Sequence, residues 1–473
     1  MKRSSFYGLM FFFVLLYTQG LWRSVGIPKL AVDGTLLALP LAILLSQPGA
    51  LRKPAPGFLF VWFYVGWALS ACIYNDEGII RGLLYPRFLI ASYLVFWAIW
   101  SSRFTHRQLL WINTVIIAMF FVQVAAASFN WLVLHRQIEA VVGTMGHETG
   151  GIATTFPMFA FSCMLAFFLY YNRPIFLIAG LSFFLVGYAS GKLGIYYFIP
   201  LTLVLGVVLY AVAEGLPSAI RRSRVIVLIV ACSLPFLVFL LSHTHRLETE
   251  NLQSKVGLYD KIATFFSYTT RQSALESRSW YTTTRVGTSR RVIEETLQRG
   301  PLVFLFGQGP HVFFDMSGQS NEGAYDRYGI IYGIVGWSAD ALAVGWPAMF
   351  AHVGFYAYLF SLLRRNRSRG AVDPYWKAIR LTVQLGFFVF LFSYLLYSIH
   401  FTVGGWLSSV YLYFLAVMLA PQYQETLRTC STEGARVLPL RSCRRRASYM
   451  GAAGGRQGSS RRTTRPSRRF DMS

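Results

Sequence analysis

QLLWINTVIIAMFFVQVAAASFNWLVL, residues 108–134, runs from end to end without one Asp, Glu, Lys or Arg. A helix needs about 20 mostly apolar residues to cross the hydrocarbon core of a bilayer, and this stretch exceeds that length. Runs of the same kind recur near 6–22, 29–46, 57–74, 86–101 and 152–171, then near 175–190, 193–214, 224–242, 338–363, 379–397 and 401–420. Together they predict an all-α polytopic membrane protein of about twelve transmembrane helices. The runs at 86–101 and 175–190 are short and allow a re-entrant or tilted segment.

Composition agrees. Of 473 residues, 55% are hydrophobic, 17% aromatic and only 14% charged, and the mean hydropathy is +0.45. A water-soluble domain does not tolerate that balance. The net charge of +24 would suit nucleic acid, but the excess sits in short segments between apolar runs and in the last fifty residues, so nucleic acid is not the expected partner. MKRSSFYGLMFFFVLLYTQGLW has the basic start and apolar centre of a signal peptide without a small-residue cleavage site, and reads as a retained first helix. Cys72, Cys163 and Cys232 fall in apolar runs and Cys430 and Cys443 near the end, so neither a disulfide framework nor a zinc site is indicated.

Cytoplasmic loops collect Lys and Arg. Placing Lys2 and Arg3 inside puts Arg52 and Lys53, Arg103 and Arg107, Arg173, then Arg221, Arg222 and Arg224, and finally Arg364, Arg365, Arg367 and Arg369 on the same side. The expected topology is amino-in, carboxyl-in. It divides the chain into helices 1–9 with short loops (1–242), one large external loop (243–337), helices 10–12 (338–420) and a basic tail (421–473). The tail carries twelve Arg against Glu425, Glu433 and Asp471, and reads as disordered, cytoplasmic and drawn to anionic lipid. Within the external loop, TSRRVIEETLQRG reads as a helix with Thr288 as its candidate cap. No internal repeat and no inverted hydropathy symmetry is visible, which counts against transport.

No Walker loop, GxSxG, HExxH or CxxC pair is present. An enzyme working on the external face has no ATP, so its substrate must arrive activated, most naturally as a sugar on a polyprenyl pyrophosphate. Cations for the pyrophosphate and a base for an acceptor hydroxyl are then required. The external segments offer Arg81 and Arg87 in YNDEGIIRGLLYPR, His147 and Glu148 in VVGTMGHETGGIATT, and Lys192 in the tight turn GYASGKLGIYY. Arg285, Arg290 and Arg291 precede PLVFLFGQGP. Bland readings stand beside these: Arg87 as a snorkelling anchor, Arg290 as a surface partner of Glu294 at i+4, and Asp340 as a helix cap. His352 and His400 read as packing histidines.

GTMGHETGGIATTFP from Gly143, the turn Ser190, Gly191, Lys192 and Gly194, and the block Ser289, Arg290, Pro301, Gly307 and Gly309 occur in this order. The arrangement resembles the O-antigen ligases and the O-antigen or exopolysaccharide repeat-unit polymerases, polytopic glycosyltransferases of the membrane GT-C class. Lys192 stands where that family usually has Arg. The His-Asn pair of the ligases is missing before the tenth helix, and Asp340 is the nearest polar residue there, as in polymerase-type members. The resemblance spans roughly residues 140–360.

It implies a metal-independent, cofactor-free polymerase of lipid-linked repeat units in a bacterial inner membrane, with a ligase of the same family or a flippase for lipid-linked sugars as alternatives. Arg290 and Lys192 would hold pyrophosphate, with Arg291 sharing the first assignment and Arg81 and Arg87 widening the cationic patch. His147, Asp340 or His311 would orient or deprotonate the acceptor. The implied partners are a polyprenyl-pyrophosphate-linked oligosaccharide, the bilayer, and flippase and chain-length or export proteins.

Overall fold

The computed structural model describes residues 3–47, 49–135, 143–145, 152–189, 195–227, 285–312, 334–365, 373–397 and 407–423. Every regular element among them is helical. The first half holds α1 (Arg3–Ser24), α2 (Lys29–Leu45), α3 (Phe58–Tyr74), α4 (Ile79–Leu84), α5 (Arg87–Ser101) and α6 (His106–Leu132), then α7 (Ile152–Tyr171), α8 (Pro174–Ser182), α9 (Phe184–Ala189) and α10 (Ile195–Glu214). The second half holds α11 (Arg285–Gln298), α12 (Pro301–Phe306), α13 (Gly336–Val344), α14 (Trp346–Arg365), α15 (Pro374–Phe392) and α16 (Leu407–Leu419). Residues 216–227 are also helical.

Among the described residues five helical stretches are long and apolar enough to cross a membrane: Ser4–Ser24, His106–Leu132, Thr154–Tyr171, Trp346–Arg365 and Pro374–Leu396. Five shorter apolar helices accompany them. In lipid every backbone polar group must be satisfied within its own segment, which is why these runs fold as helices. Their ends follow local chemistry. Thr105 and Gln108 form a reciprocal capping box at the start of α6, and Asp373 accepts the Tyr375 N–H at 2.8 Å before Pro374 opens α15.

The distribution of polarity is that of a helical membrane protein. Large apolar side chains such as Leu59, Ile73, Trp111, Val212 and Phe350 are exposed, while Ser92, Asn113, Gln123, Thr382, Ser408 and Ser409 are buried. Lipid supplies no hydrophobic drive for helices to associate, so close packing and buried polar contacts hold them. Asn113 donates to the Tyr375 hydroxyl at 3.0 Å and accepts from the Tyr413 hydroxyl at 2.7 Å. Ser92 meets Ser408 and Ser409 at 2.7 and 2.9 Å. Helix α16 is buried at all thirteen of its positions and packs on α5, α14 and α15.

Contacts between helix ends sort the chain into two levels. Ser5 meets Ser46, Lys377 pairs with Glu214, and Gln422 donates to the Trp100 and Ser102 carbonyls. Arg52, Lys53, Arg103, Arg107, Arg364 and Arg365 flank these same helix ends, which form the basic end of the molecule. At the far end the Gly20 N–H donates to the Thr144 carbonyl, Arg87 pairs with Asp33, and Trp67 donates to the Leu305 carbonyl.

Two expectations are corrected. The run at 175–190 is not one helix: it breaks at Phe183, whose ring is wedged among Phe120, Phe121 and Phe156 and whose N–H turns back to the Gly180 carbonyl. Thr288 does not cap its helix, because α11 already begins at Arg285. Most of the stretch 243–337, expected as an external loop, and the whole basic tail beyond Tyr423 lie outside the described residues.

Candidate functional site

Helix α13 enters through Val335, whose N–H donates to the Ser338 hydroxyl at 3.1 Å. Two residues further on lies Asp340, with no solvent exposure. Its Oδ1 accepts from the Tyr64 and Tyr85 hydroxyls at 2.7 and 3.0 Å, and its Oδ2 accepts from the Tyr394 hydroxyl at 2.6 Å. His352 Nδ1 approaches the same Oδ2 at 2.7 Å. The four partners come from α3, the turn before α5, the segment after α15, and α14. Asp340 is therefore not a helix cap: it lies inside α13 and ties four separate parts of the bundle together.

Local structure explains the convergence. A Cβ at Gly336 would fall on the Tyr394 ring, so only glycine lets that ring lie against α13. Tyr394 belongs to a single π turn, Ser393–Tyr397, an irregularity that in other proteins often marks a functional position. Gly345, at φ +89, separates α13 from α14, and a Cβ there would strike the Leu305 carbonyl. Asp340 and His352 thus sit on a short helix and a long one joined by a break.

His352 is more than a packing histidine. Its Nδ1 is engaged with Asp340, while its Nε2 is buried and has no hydrogen-bond partner among the described residues. Rings surround the imidazole: Tyr394 at 5.1 Å, Tyr64 at 5.2 Å, Tyr356 at 5.7 Å and Phe390 at 6.4 Å between centroids. Nothing in the spacing of residues 340 and 352 flagged the pair, because each reads as an isolated polar residue in an apolar run.

A second group forms at the far end. Pro301 opens α12, and Gly307 and Gly309, at φ +67 and +93, let the following chain fold back. The N–H groups of Gln308 and Gly309 then donate to the Leu342 and Ala343 carbonyls of α13 at 2.7 and 3.0 Å. Phe306 stacks on Trp67 and on Tyr74. This clasp delivers His311, whose N–H donates to Glu77 Oε2 at 3.1 Å and whose Nδ1 meets Glu77 Oε1. Arg81 lies 3.9 Å from the same carboxylate. Glu77, the centre of the group, was visible in sequence only as the i−4 neighbour of Arg81.

The remaining candidates separate. Arg87 is neither a snorkelling anchor nor part of an open cationic patch: it is buried, 3.3 Å from Asp33, and donates to the Leu84 carbonyl at 2.6 Å. Arg290 is exposed and pairs with Glu294 at 2.7 Å, and Arg291 follows it on α11. His147 and Lys192 lie outside the described residues. Thr144, in the stretch before His147, anchors its loop by donating to the Tyr17 carbonyl and receiving from Gln123.

Tyr64 is near the middle of α3, whereas Tyr85 precedes α5 and the carbonyls of Leu342 and Ala343 hold the clasp, so the Asp340 cluster is buried in the half of the bundle towards the far end. Among the described residues no three of His, Cys, Asp and Glu gather closely enough to hold a metal ion.

An exposed i,i+4 ion pair contributes about 0.3–0.5 kcal/mol. Arg290→Ala is accordingly expected to leave thermal unfolding in detergent within about 0.5 kcal/mol of wild type. A large fall in glycan elongation with unchanged unfolding would assign Arg290 to substrate, and unchanged elongation would remove it from the site.

No protein-family model matches the sequence, and no curated protein matches it significantly.

Proposed function

We propose that the chain is a polymerase that joins polyprenyl-pyrophosphate-linked oligosaccharide repeat units at the periplasmic face of a bacterial inner membrane. On this reading about twelve helices span the bilayer, both termini and the basic end face the cytoplasm, and the far end faces the periplasm. The observation that carries the proposal is the gathering of two acid–imidazole pairs about α13: Asp340 of α13 with His352 of α14, and Glu77 beside Arg81 with His311, on the clasp that bonds to α13.

The chemistry asked of such a site is modest. A glycosyl pyrophosphate is already activated, so the protein must orient an acceptor hydroxyl, take its proton and stabilise the charge that develops on the leaving pyrophosphate. Arg81, Arg290, Arg291 and Lys192 are the cations proposed to serve the pyrophosphate. The imidazoles of His311, His352 and His147 are the candidates for the proton, and no metal is invoked.

Deleting the gene and resolving the surface or secreted polysaccharide by size tests the proposal. Loss of long chains with single repeat units retained is expected. Loss of every repeat linked to lipid A would instead identify a ligase of the same family. A transporter is the second reading, favoured by the ionisable pair buried inside the bundle and the helix broken at Gly345. Accumulation of the lipid-linked unit on the cytoplasmic leaflet would establish it and overturn the polymerase.

A further inference from the structure

We infer that Gln308 is a saccharide-recognition residue: its carboxamide, with Arg81 and Glu77 beside it, binds adjacent hydroxyls of the oligosaccharide repeat unit at the far end of the bundle. The inference rests on the polymerase reading for the class of ligand and deepens it, since none of the cations and imidazoles named above selects one sugar over another.

The amide is firmly placed and left unmatched. Gln308 stands between Gly307 and Gly309, and its N–H donates to the Leu342 carbonyl at 2.7 Å. A Cβ at Gly307 would strike the backbone of Leu342 and Ala343, and one at Gly309 would strike the Glu77 carboxylate. The backbone on both sides of Gln308 is thus held in place. The residue is only 7% exposed, yet neither Oε1 nor Nε2 has a hydrogen-bond partner among the described residues. Buried amides are normally paired, and a Met would fill a similar volume without the cost of stripping water from a polar group. A side chain with an unmatched donor and an unmatched acceptor fits a ligand that offers both.

The neighbours narrow the ligand. Glu77 links them: Gly309, next to Gln308, lies against its carboxylate, and Arg81 lies 3.9 Å from it. Arg81 Nε is buried and also has no partner among the described residues. The group therefore combines an amide, a guanidinium donor and a carboxylate acceptor. A hydroxyl both donates and accepts, so adjacent sugar hydroxyls can match Gln308 Oε1, Gln308 Nε2 and Arg81 Nε together. Pyrophosphate oxygens only accept; they would leave Gln308 Oε1 unmatched and meet the like charge of Glu77. Arg81 can still reach pyrophosphate, because a guanidinium carries five N–H donors.

The group opens outward. The side chains of Arg81 and His311 are 26% and 35% exposed, whereas Asp340 keeps no exposed surface and His352 only 1%. A sugar approaches from the far end, past Arg81 and His311, without having to reach the ring-enclosed pair. Because the clasp already holds the Gln308 backbone, binding orders little besides the side chain itself.

The test uses full-length protein in mild detergent, and its probe is the oligosaccharide released by mild acid from the lipid-linked pool of cells that lack the gene. Thermal unfolding is followed for wild type and Gln308→Met, with and without the probe. Without it, Gln308→Met is expected to unfold at or above the wild-type temperature, since an unmatched amide gives way to an apolar chain of similar length. With it, wild type is expected to shift upward, as a ligand that binds only the folded state stabilises that state. Gln308→Met is expected to need about 10–100-fold more oligosaccharide for the same shift. If Gln308→Met unfolds early or does not fold, the chain itself satisfies the amide and the inference fails. It fails equally if the probe does not shift wild type, or shifts both proteins alike. Elongation of the lipid-linked pool in vesicles is read separately. A wild-type protein that binds the oligosaccharide and elongates nothing overturns the polymerase reading and leaves the saccharide site standing.

Discussion

Replacing Asp340 by Ala is expected to destabilise the protein by at least about 3 kcal/mol, because Tyr64, Tyr85, Tyr394 and His352 lose their common acceptor at once and each stranded donor costs about 1–3 kcal/mol. Denaturant unfolding in mild detergent measures this. Asp340→Asn should be milder, since the amide oxygen still satisfies one side of the cluster while its NH₂ opposes the donors on the other. The order wild type, Asn, Ala is the signature of a hydrogen-bonded hub. An Ala variant as stable as wild type would mean that the four partners do not converge on this carboxylate. Elongation should be lost in both variants, because either one releases the imidazole of His352.

The second large effect concerns Arg87 and Asp33, whose side chains are 8% and 7% exposed. Removing one member of a buried ion pair leaves the other charge uncompensated, at a cost of about 3–5 kcal/mol. Arg87→Ala or Asp33→Ala alone should therefore unfold early. Arg87→Met combined with Asp33→Leu should return stability to near wild type, because an apolar pair of similar volume avoids desolvating two charges. The double variant also separates two roles. If Arg87 only pins α5 to α2, the folded double variant elongates glycan normally. If Arg87 contacts pyrophosphate, it folds and does not elongate. Normal elongation is the expected result, because the guanidinium is already engaged by Asp33 and the Leu84 carbonyl.

Much of the architecture was legible from composition. The runs at 29–46 and 108–134 correspond to α2 and α6 within a few residues, since a span needs only length and apolarity and neither depends on a tertiary partner. The basic segments were equally plain, and Arg52, Lys53, Arg103, Arg107, Arg364 and Arg365 flank helix ends. What could not be read was anything decided by a neighbour distant in the chain. Phe183 breaks a run because three aromatic rings from other helices surround it, and an apolar stretch in isolation carries no trace of them.

The candidate site divides along the same line. Arg290 with Glu294 is a helical i,i+4 pair and was foreseen as such. His311 and Arg81 were both named, but Glu77, which joins them, was not, because the two segments lie over 200 positions apart and only the glycine-bearing clasp brings them together. Asp340 was named for a resemblance, and His352 was set aside as packing. The relation between them became visible only where the break at Gly345 folds α13 against α14 and three tyrosines from elsewhere in the chain close around the carboxylate.

The placement of α16 has a bearing on how the protein is made. Synthesis proceeds from the amino end, and this helix, at Leu407–Leu419, is the last described one to leave the ribosome, yet it has no exposed residue and supplies Ser408 and Ser409 to Ser92 of α5. Until it arrives, Ser92 of α5 lacks the two hydroxyls it meets in the folded chain. Assembly therefore ends, rather than begins, at the centre. A chain arrested before residue 407 would lack both hydroxyls that Ser92 meets.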